Sequence, residues 1–535
     1  MRIHRLHPAI ALLGLAALLV PGAVAAQTPA PTAPRSMATA ARPNLPRTAD
    51  GKPNLSGIWQ VQNTARYDLQ DHVAKADMPP GKGVVVGNEI PYLPAAAAKK
   101  AENLQNRKTA DPLTQCYLPG VPRIMYLDFP FQIFQTPREI AMTFEWSQVH
   151  RVIHTSGSTH HDGIEFWMGD SRGKWEGDTL VVEVINHNDK TWFDMAGNFH
   201  SDALKVVERY RLTDRDTIQY DATIEDAVTF TKPWTISMSL HRRKDLNRIM
   251  EYGCQAEVEE ANGAFPREPR TWYPGDGTPA AVFPPAAARA TPATPAARAT
   301  NIRRMRDGKP DLQGIFAADG GGANYGLEKH AGDALTPGGR GIVVDPPDGK
   351  LPVQEWVKAE VVSRALPERG YDDPTAHCFV AGVPRSMYVP QPIQIVQTAD
   401  HVVFLFERMA WRIVPLDGRP HLPNHLRLWQ GDSVGHWEGD TLVVDTTNTN
   451  GKAWLNEVGE VISHAARIVE RFTPVGDTIS YEATVTDPVA YTRPWTIAFP
   501  IKPTATELLE VACHEDNLDL AHLKAIKDEA AAKKR

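Results

Sequence analysis

Histidines and one carboxylate in the first half of the chain are the residues best suited to chemistry. They are His154, His160, His161, Glu183, His187 and His200. Imidazole titrates near neutral pH, so histidines beside a carboxylate can serve as a general acid and a general base. Three neutral imidazoles and a carboxylate can instead hold a divalent metal such as zinc. The remaining interpretation is a set of exposed loop histidines that share no site.

Several motifs of the common catalytic classes do not occur in the chain. It has no phosphate-binding loop, no HExxH and no GxGxxG between a strand and a helix. We therefore expect no organic cofactor, and zinc is the alternative. Candidate substrate-binding residues are aromatic, cationic or imidazole side chains in turn-rich segments or on strands: Trp192, Arg209, Trp454, His421, His425 and His464.

These residues predict an enzyme that acts on a small apolar or aromatic molecule by acid–base chemistry, of the lyase, isomerase or hydrolase type. Aromatic rings at the mouth of a barrel suit such a ligand. A non-catalytic small-molecule-binding protein of the cell envelope is one alternative. An envelope interaction protein, in which the tandem makes two contacts, is another.

The chain contains two copies of one unit. The segment from Asp50 to Trp59 recurs from Asp307 to Phe316, and the run WEGDTLVV at 175–182 recurs at 437–444. The order of the matches is kept throughout, which is the signature of a tandem duplication. We predict repeats at 47–265 and 301–514, a Pro/Ala-rich linker at 266–300 and a C-terminal helix at 515–535.

Polar residues kept in both units indicate maintenance of the fold. The aligned pairs are Gln135/Gln397, Glu145/Glu407, Arg151/Arg412, Asn186/Asn448, Glu208/Glu470 and Arg209/Arg471. Adjacent strand residues point to opposite faces, so the partners of Glu208 and Arg209 are expected on other strands. In the alignment the histidines do not match between units, which favours specialisation of the first unit.

The four cysteines occupy matching points in the two units. Cys116 and Cys254 lie in the first unit, and Cys378 and Cys513 lie in the second. Four cysteines allow three pairings. Duplication favours the bridges Cys116–Cys254 and Cys378–Cys513, and free buried thiols are the alternative.

Short strands separated by turns predict an all-β fold. From 217 to 224, and again from 478 to 485, apolar and polar residues alternate, as in strands with one buried face. Many such strands at regular spacing indicate a sandwich or a closed antiparallel barrel. We predict two tandem antiparallel barrels, with one short helix per unit near 96–106 and 353–365.

The Gly57-Ile58-Trp59 sequence resembles the first strand of lipocalin, or calycin, barrels. In that family the tryptophan closes one end of the barrel, and in the second unit Phe316 replaces it. The tandem is also similar to calycin-like proteins that include carotenoid hydratases and some cyclases. The WEGDTLVV run resembles a family of exported bacterial proteins with no assigned activity. The resemblance implies calycin-like barrels.

The N-terminus has the pattern of a secretory signal peptide. Arg2 and Arg5 precede an apolar run from Ala9 to Val20, and small residues follow at 23–26. We predict cleavage near Ala26, a disordered segment at 27–46, and a periplasmic or secreted protein with no transmembrane segment after cleavage. The 535 residues carry a net charge of -7, which argues against nucleic acid as a partner. A small-molecule ligand or substrate is the expected partner.

Overall fold

The computed structural model describes most of both repeats. The described residues are 45–254, 302–332, 336–408, 410–513, 515 and 517–533. The predicted signal peptide, the segment 27–46 except its last two residues, and the linker 266–300 lie outside them. Among the described residues, no helix is long and apolar enough to cross a membrane.

The first repeat folds as a closed barrel in which the strand order follows the chain. Neighbouring strands are antiparallel, except for a single parallel bridge between His154 of β4 and Arg172 of β5. The strands are β1 (Gly57–Val61), β2 (Phe131–Gln135), β3 (Glu139–Phe144), β4 (His150–His154), β5 (Asp170–Glu176), β6 (Thr179–Ile185), β7 (Lys205–Asp214), β8 (Thr217–Glu225) and β9 (Trp234–Arg242).

The second repeat has the same strand order in a nearly closed barrel. The row of hydrogen-bonded strands begins at β14 and ends at β15. The short strand β11 pairs with β19 outside this row. The strands are β10 (Gly314–Ala318), β11 (Val343–Asp345), β12 (Ile393–Gln397), β13 (His401–Phe406), β14 (Ala410–Pro415), β15 (Asp432–Glu438), β16 (Thr441–Thr447), β17 (Arg467–Val475), β18 (Thr478–Thr486) and β19 (Trp495–Pro503). The predicted all-β tandem of barrels is confirmed.

Alternation explains why these segments form strands. In β8, Ile218, Tyr220, Ala222 and Ile224 are buried and the intervening residues are half-buried. Successive strand side chains point to opposite faces, so this pattern fills the barrel interior with apolar groups and leaves polar groups outside. The turn between β5 and β6 contains Gly177, whose φ of 62° is accessible to glycine at no steric cost.

Three α-helices lie wholly within the described ranges: α1 (Pro94–Ala110), α2 (Glu355–Arg364) and α3 (Asp519–Lys533). The predictions near 96–106 and 353–365 are confirmed. The C-terminal helix begins four residues later than predicted. Proline at the first position of α1 suits a helix start, because its fixed φ is helical and its missing N–H has no partner there anyway.

Both predicted disulfides are present. Cys116 bonds to Cys254, and Cys378 bonds to Cys513, with Cα–Cα distances of 5.6 and 5.7 Å. Each bridge ties the end of a repeat to the short 3-10 helix that follows α1, or its counterpart after α2.

The two barrels pack against each other through an apolar cluster. Ile58, Phe134 and Ala141 of the first barrel meet Val396, Val403, Leu405 and Trp411 of the second. Two reciprocal hydrogen bonds cross this contact: His150 Nε2 lies 2.9 Å from the Phe406 carbonyl, and Trp411 Nε1 donates to the Phe144 carbonyl at 2.9 Å. His150 and Trp411 occupy equivalent positions, so the contact has approximate two-fold symmetry.

After its last strand, each repeat sends a segment to the other barrel. We call residues 243–254 the first arm and residues 504–513 the second arm. Glu251 of the first arm accepts hydrogen bonds from the Trp429 and Gln430 amides at 2.6 and 2.9 Å. Glu510 of the second arm accepts them from the Trp167 and Met168 amides at 2.7 and 2.9 Å. Each arm therefore bridges the two barrels.

Candidate functional site

Two of the predicted catalytic histidines converge on a carboxylate from the other repeat. His161 Nε2 lies 2.9 Å from Glu507 Oε2, and His154 Nε2 lies 3.7 Å from the same oxygen. Arg172 also donates to this oxygen, at 3.0 Å. A cleft of about 80 Å³ lies beside these side chains, and we call it the arm cleft. Glu507 lies on the second arm, so this grouping exists only because the barrels dock.

Burial sets the protonation state of His154 in the arm cleft. It lowers the pKa of the His154 imidazole below the ordinary value near 6.5, and the nearby Glu507 carboxylate opposes that effect. A neutral imidazole at pH 7 can accept a proton, as a general base must.

His160 is engaged on both sides of its ring. Its Nδ1 lies 3.1 Å from Asp170 Oδ2, and its Nε2 lies 3.4 Å from Glu183 Oε1. Glu183 is also paired with Lys205 at 2.5 Å, and a hydrogen bond from that lysine lowers the pKa of the carboxyl. Both ring nitrogens already face carboxylates, so His160 has no free nitrogen for a substrate.

The same arrangement recurs in the second barrel. His421 Nδ1 lies 3.1 Å from Asp432, its Nε2 lies 3.5 Å from Asp445, and Arg467 pairs with Asp445 at 2.7 Å. Hydrogen bonds that the His421 ring donates to the Asp432 and Asp445 carboxylates raise its pKa to about 9. The structure thus makes His160 and His421 equivalent, although the sequence alignment had separated all the histidines. Recurrence in both units favours a structural role.

His187 and His200 form a separate buried pair. His187 does not share a strand face with Glu183, because β6 ends at Ile185 and Asn186 has a φ of 60°. The His187 and His200 rings are 5.8 Å apart, and Thr191 Oγ1 lies 2.6 Å from His200 Nε2. Burial lowers the pKa of both rings, which keeps them neutral.

The predicted substrate-binding residues do not meet in one place. Trp192 and Trp454 are buried in the core of their own repeats, and Arg364 lies over the Trp454 ring at 4.8 Å. Arg209 pairs with Glu176 on the surface at 3.2 Å. His425 and His464 are exposed, each in a loop of the second repeat. His421 is described above.

The kept arginines and glutamates form an ion pair inside each barrel. Arg151 bonds to both oxygens of Glu208, and the Tyr210 and Tyr220 hydroxyls donate to Glu208 Oε1, each at 2.8 Å. Arg412 and Glu470 form the same pair in the second barrel. As predicted, the partners lie on different strands. A fully buried pair with all its hydrogen bonds made is a structural feature of the core.

A cavity of about 230 Å³ lies in the second repeat beside the Cys378–Cys513 bridge. We call it the second-barrel cavity. Its apolar wall includes Phe379, Val389, Pro392 and Phe406. Its polar lining includes Asn324, Arg385, Ser386, Gln391, Arg408, Gln430 and Glu457. None of these residues was among the predicted site residues.

In the first repeat, aromatic side chains occupy the equivalent space. The Phe129 and Tyr252 ring centroids are 4.6 Å apart, and Trp146 meets the Tyr252 ring at 6.0 Å. The aligned residues of the second repeat are Gln391 for Phe129 and Arg408 for Trp146, and Val511 stands in place of Tyr252. Smaller or polar side chains thus leave room for the cavity in the second repeat.

Two buried polar groups in the cavity wall have no partner. Within the described part of the chain, the Ser386 hydroxyl and both polar atoms of the Gln430 amide make no hydrogen bond. The equivalent residues of the first repeat are Ile124 and Met168, whose side chains need no hydrogen-bond partner. Buried polar groups without partners cost about 1–3 kcal/mol each. A site that keeps them is a candidate for ligand binding.

Within the described ranges, no three His, Cys, Asp or Glu side chains are grouped as a metal site needs. No protein-family model matches the chain, and no curated protein matches its sequence. The second-barrel cavity and the arm cleft are the two sites that the geometry brings forward.

Proposed function

We propose that this chain is an exported protein that binds a small molecule in the second-barrel cavity. The observation that carries the proposal is the contrast between the repeats: the first is filled by Phe129, Trp146 and Tyr252, and the second is open. Both repeats keep the same strand order, the equivalent disulfide and the equivalent buried ion pair. The side chains that open the cavity are therefore not required by the fold.

The lining of the cavity suits ligand recognition. Ligand sites in proteins combine apolar walls with a few placed polar groups. Here Phe379 and Phe406 supply the apolar surface, and Arg408 and Glu457 supply opposite charges. The volume of about 230 Å³ is below the roughly 300–1,000 Å³ of sites for drug-sized ligands, so the ligand is a small metabolite.

Export is supported by the N-terminal charged and apolar segments and by the two disulfides. Disulfides persist in the periplasm and outside the cell and are rare in the cytosol. We infer a periplasmic or secreted location.

The test rebuilds the aromatic filling of the first repeat in the second. The double variant Gln391→Phe, Arg408→Trp is screened against a fragment library by ligand-observed NMR. Val475→Trp is the matched control, because it adds a tryptophan at a side chain that is 48% exposed on β17. We expect fragments to bind the wild type and the control and to lose binding to the double variant. Equal binding to all three proteins would contradict the proposal.

The arm cleft supports a second candidate function, acid–base catalysis on a small apolar or aromatic molecule. The specific observation is the convergence of His154, His161 and Glu507 around one cleft. The variants His154→Gln and His161→Gln, incubated with the fragments that bind, test this function by mass spectrometry of the products. Turnover by the wild type that both variants lose would support catalysis. Turnover that survives in both variants would contradict it.

A further inference from the structure

Two opposite charges at the second-barrel cavity belong to the second repeat alone. Arg408 replaces Trp146 and Glu457 replaces Met195 of the first repeat. Both side chains are exposed. Neither makes an ion pair with any residue in the described ranges, although each charge influences the pKa of the other. Both therefore line the same cavity and lie near each other without forming an ion pair.

The other charged groups of the cavity are already committed. Arg385 is buried and bonds to both oxygens of Asp373, each at 3.1 Å. The same pair occurs in the first repeat as Arg123 and Asp111. Arg385 is therefore part of the fold, and Arg408 is the cation left for a ligand.

The two carboxylates beside the cavity, Glu407 and Glu457, also differ in what they bind. In the first repeat, Glu145 accepts a hydrogen bond from the Met250 amide of the first arm at 2.9 Å. Glu407 is the equivalent residue of the second repeat, and it accepts a hydrogen bond from the Leu509 amide of the second arm. Glu407 thus holds an arm. Glu457 instead accepts a hydrogen bond from Asn324 Nδ2 at 2.7 Å, which fixes its carboxylate at the cavity.

We propose that the second-barrel cavity binds a small zwitterion with an apolar side chain, in the class of free α-amino acids. This inference rests on the proposed function. Arg408 would receive the carboxylate, because a guanidinium can donate two parallel hydrogen bonds to it. Glu457 would receive the ammonium group. Phe379 and Phe406 would cover the apolar side chain.

A matched ligand series tests the two charges separately. L-phenylalanine carries both charges, 3-phenylpropanoate lacks the ammonium group, and phenethylamine lacks the carboxylate. Isothermal titration calorimetry is expected to show at least tenfold tighter binding of L-phenylalanine, or of another apolar α-amino acid, than of its two one-charge analogues. Equal affinities across a series, or no binding of any apolar α-amino acid at millimolar concentration, would overturn the inference.

Variants of Arg408 and Glu457 test which residue binds each charged group of the ligand. Arg408→Gln is expected to weaken the amino acid at least tenfold and to leave phenethylamine unchanged. Glu457→Gln is expected to abolish the advantage of the amino acid over 3-phenylpropanoate. Arg471→Gln is the control, because Arg471 pairs with Glu438 on the surface. Unchanged affinities in both cavity variants would overturn the assignment.

The filled double variant separates the two proposals. If the ligand series shows equal affinities but the double variant loses the fragments, the cavity binds ligands and only the zwitterion inference fails. If it keeps every ligand that the wild type binds, the cavity itself is not the site.

Discussion

Removal of the Glu510 carboxylate is expected to weaken the contact between the barrels. Glu510 accepts two hydrogen bonds from backbone amides of the first barrel, at Trp167 and Met168, and both of those residues are only 3% exposed. Burial raises the pKa of the Glu510 carboxyl to about 7, so the carboxyl is mostly neutral below pH 6. Hydrogen bonds to a neutral acceptor contribute about 0.5–1.5 kcal/mol each, and a buried N–H left unpaired costs about 1–3 kcal/mol. Water that enters as the arm loosens will offset part of this loss. We therefore expect Glu510→Ala to lower the free energy of unfolding by about 3 kcal/mol.

The measurement is urea-induced unfolding followed by tryptophan fluorescence at pH 5.5, where Glu510 and Glu251, whose pKa values burial raises to about 7, are both mostly neutral. Glu510→Gln keeps one acceptor oxygen for the two amides, so it is expected to lose about 1 kcal/mol. Glu251→Ala removes the symmetric contact on Trp429 and Gln430 and is expected to match Glu510→Ala. A loss below about 0.5 kcal/mol in either alanine variant would refute the idea that the arms hold the barrels together.

Three further predictions concern the core, the surface and the bridges. Glu470→Gln leaves the buried Arg412 charge without a counter-charge, so we expect a loss of about 3–5 kcal/mol in urea unfolding. The folded pKa of His421 is about 9, above its ordinary value near 6.5, so its stabilising effect is full below about pH 6.5 and disappears as the pH rises through 9. Because its side chain is one-quarter exposed, we expect an advantage over His421→Asn of about 2 kcal/mol at pH 6 that vanishes by pH 10 in thermal unfolding. Replacing Cys378 and Cys513 by serine opens a loop that spans 135 residues and is expected to cost about 4–5 kcal/mol in urea unfolding.

Features carried by short-range patterns and by duplication were predicted from sequence. The alternation in β8 and β18 identifies strands because it depends only on neighbours in the chain. The pairing of Cys116 with Cys254 followed from the duplication, since each unit carries its own two cysteines. The strand limits were less accessible: β6 ends two residues before His187, at the left-handed Asn186.

The candidate sites depend on contacts that are distant in sequence. Glu507 reaches His161 from the second arm, 346 residues away, and nothing local to either residue indicates this. The equivalence of His160 and His421 was hidden because the loop before β15 is one residue longer than the loop before β5. The second-barrel cavity had a readable signal, the replacement of Phe129 and Trp146 by Gln391 and Arg408. Its meaning required knowing that these positions face one another.

The exchange of arms makes the contact between the barrels independent of protein concentration. Two separate chains with this contact would dissociate on dilution, whereas tethered halves meet at the effective concentration set by their linker. Because the two copies lie in one chain, their sequences can also differ from each other. Two identical protomers must change together, but here the first repeat has an aromatic filling that the second repeat lacks. One half can remain a rigid support while the other acquires a cavity.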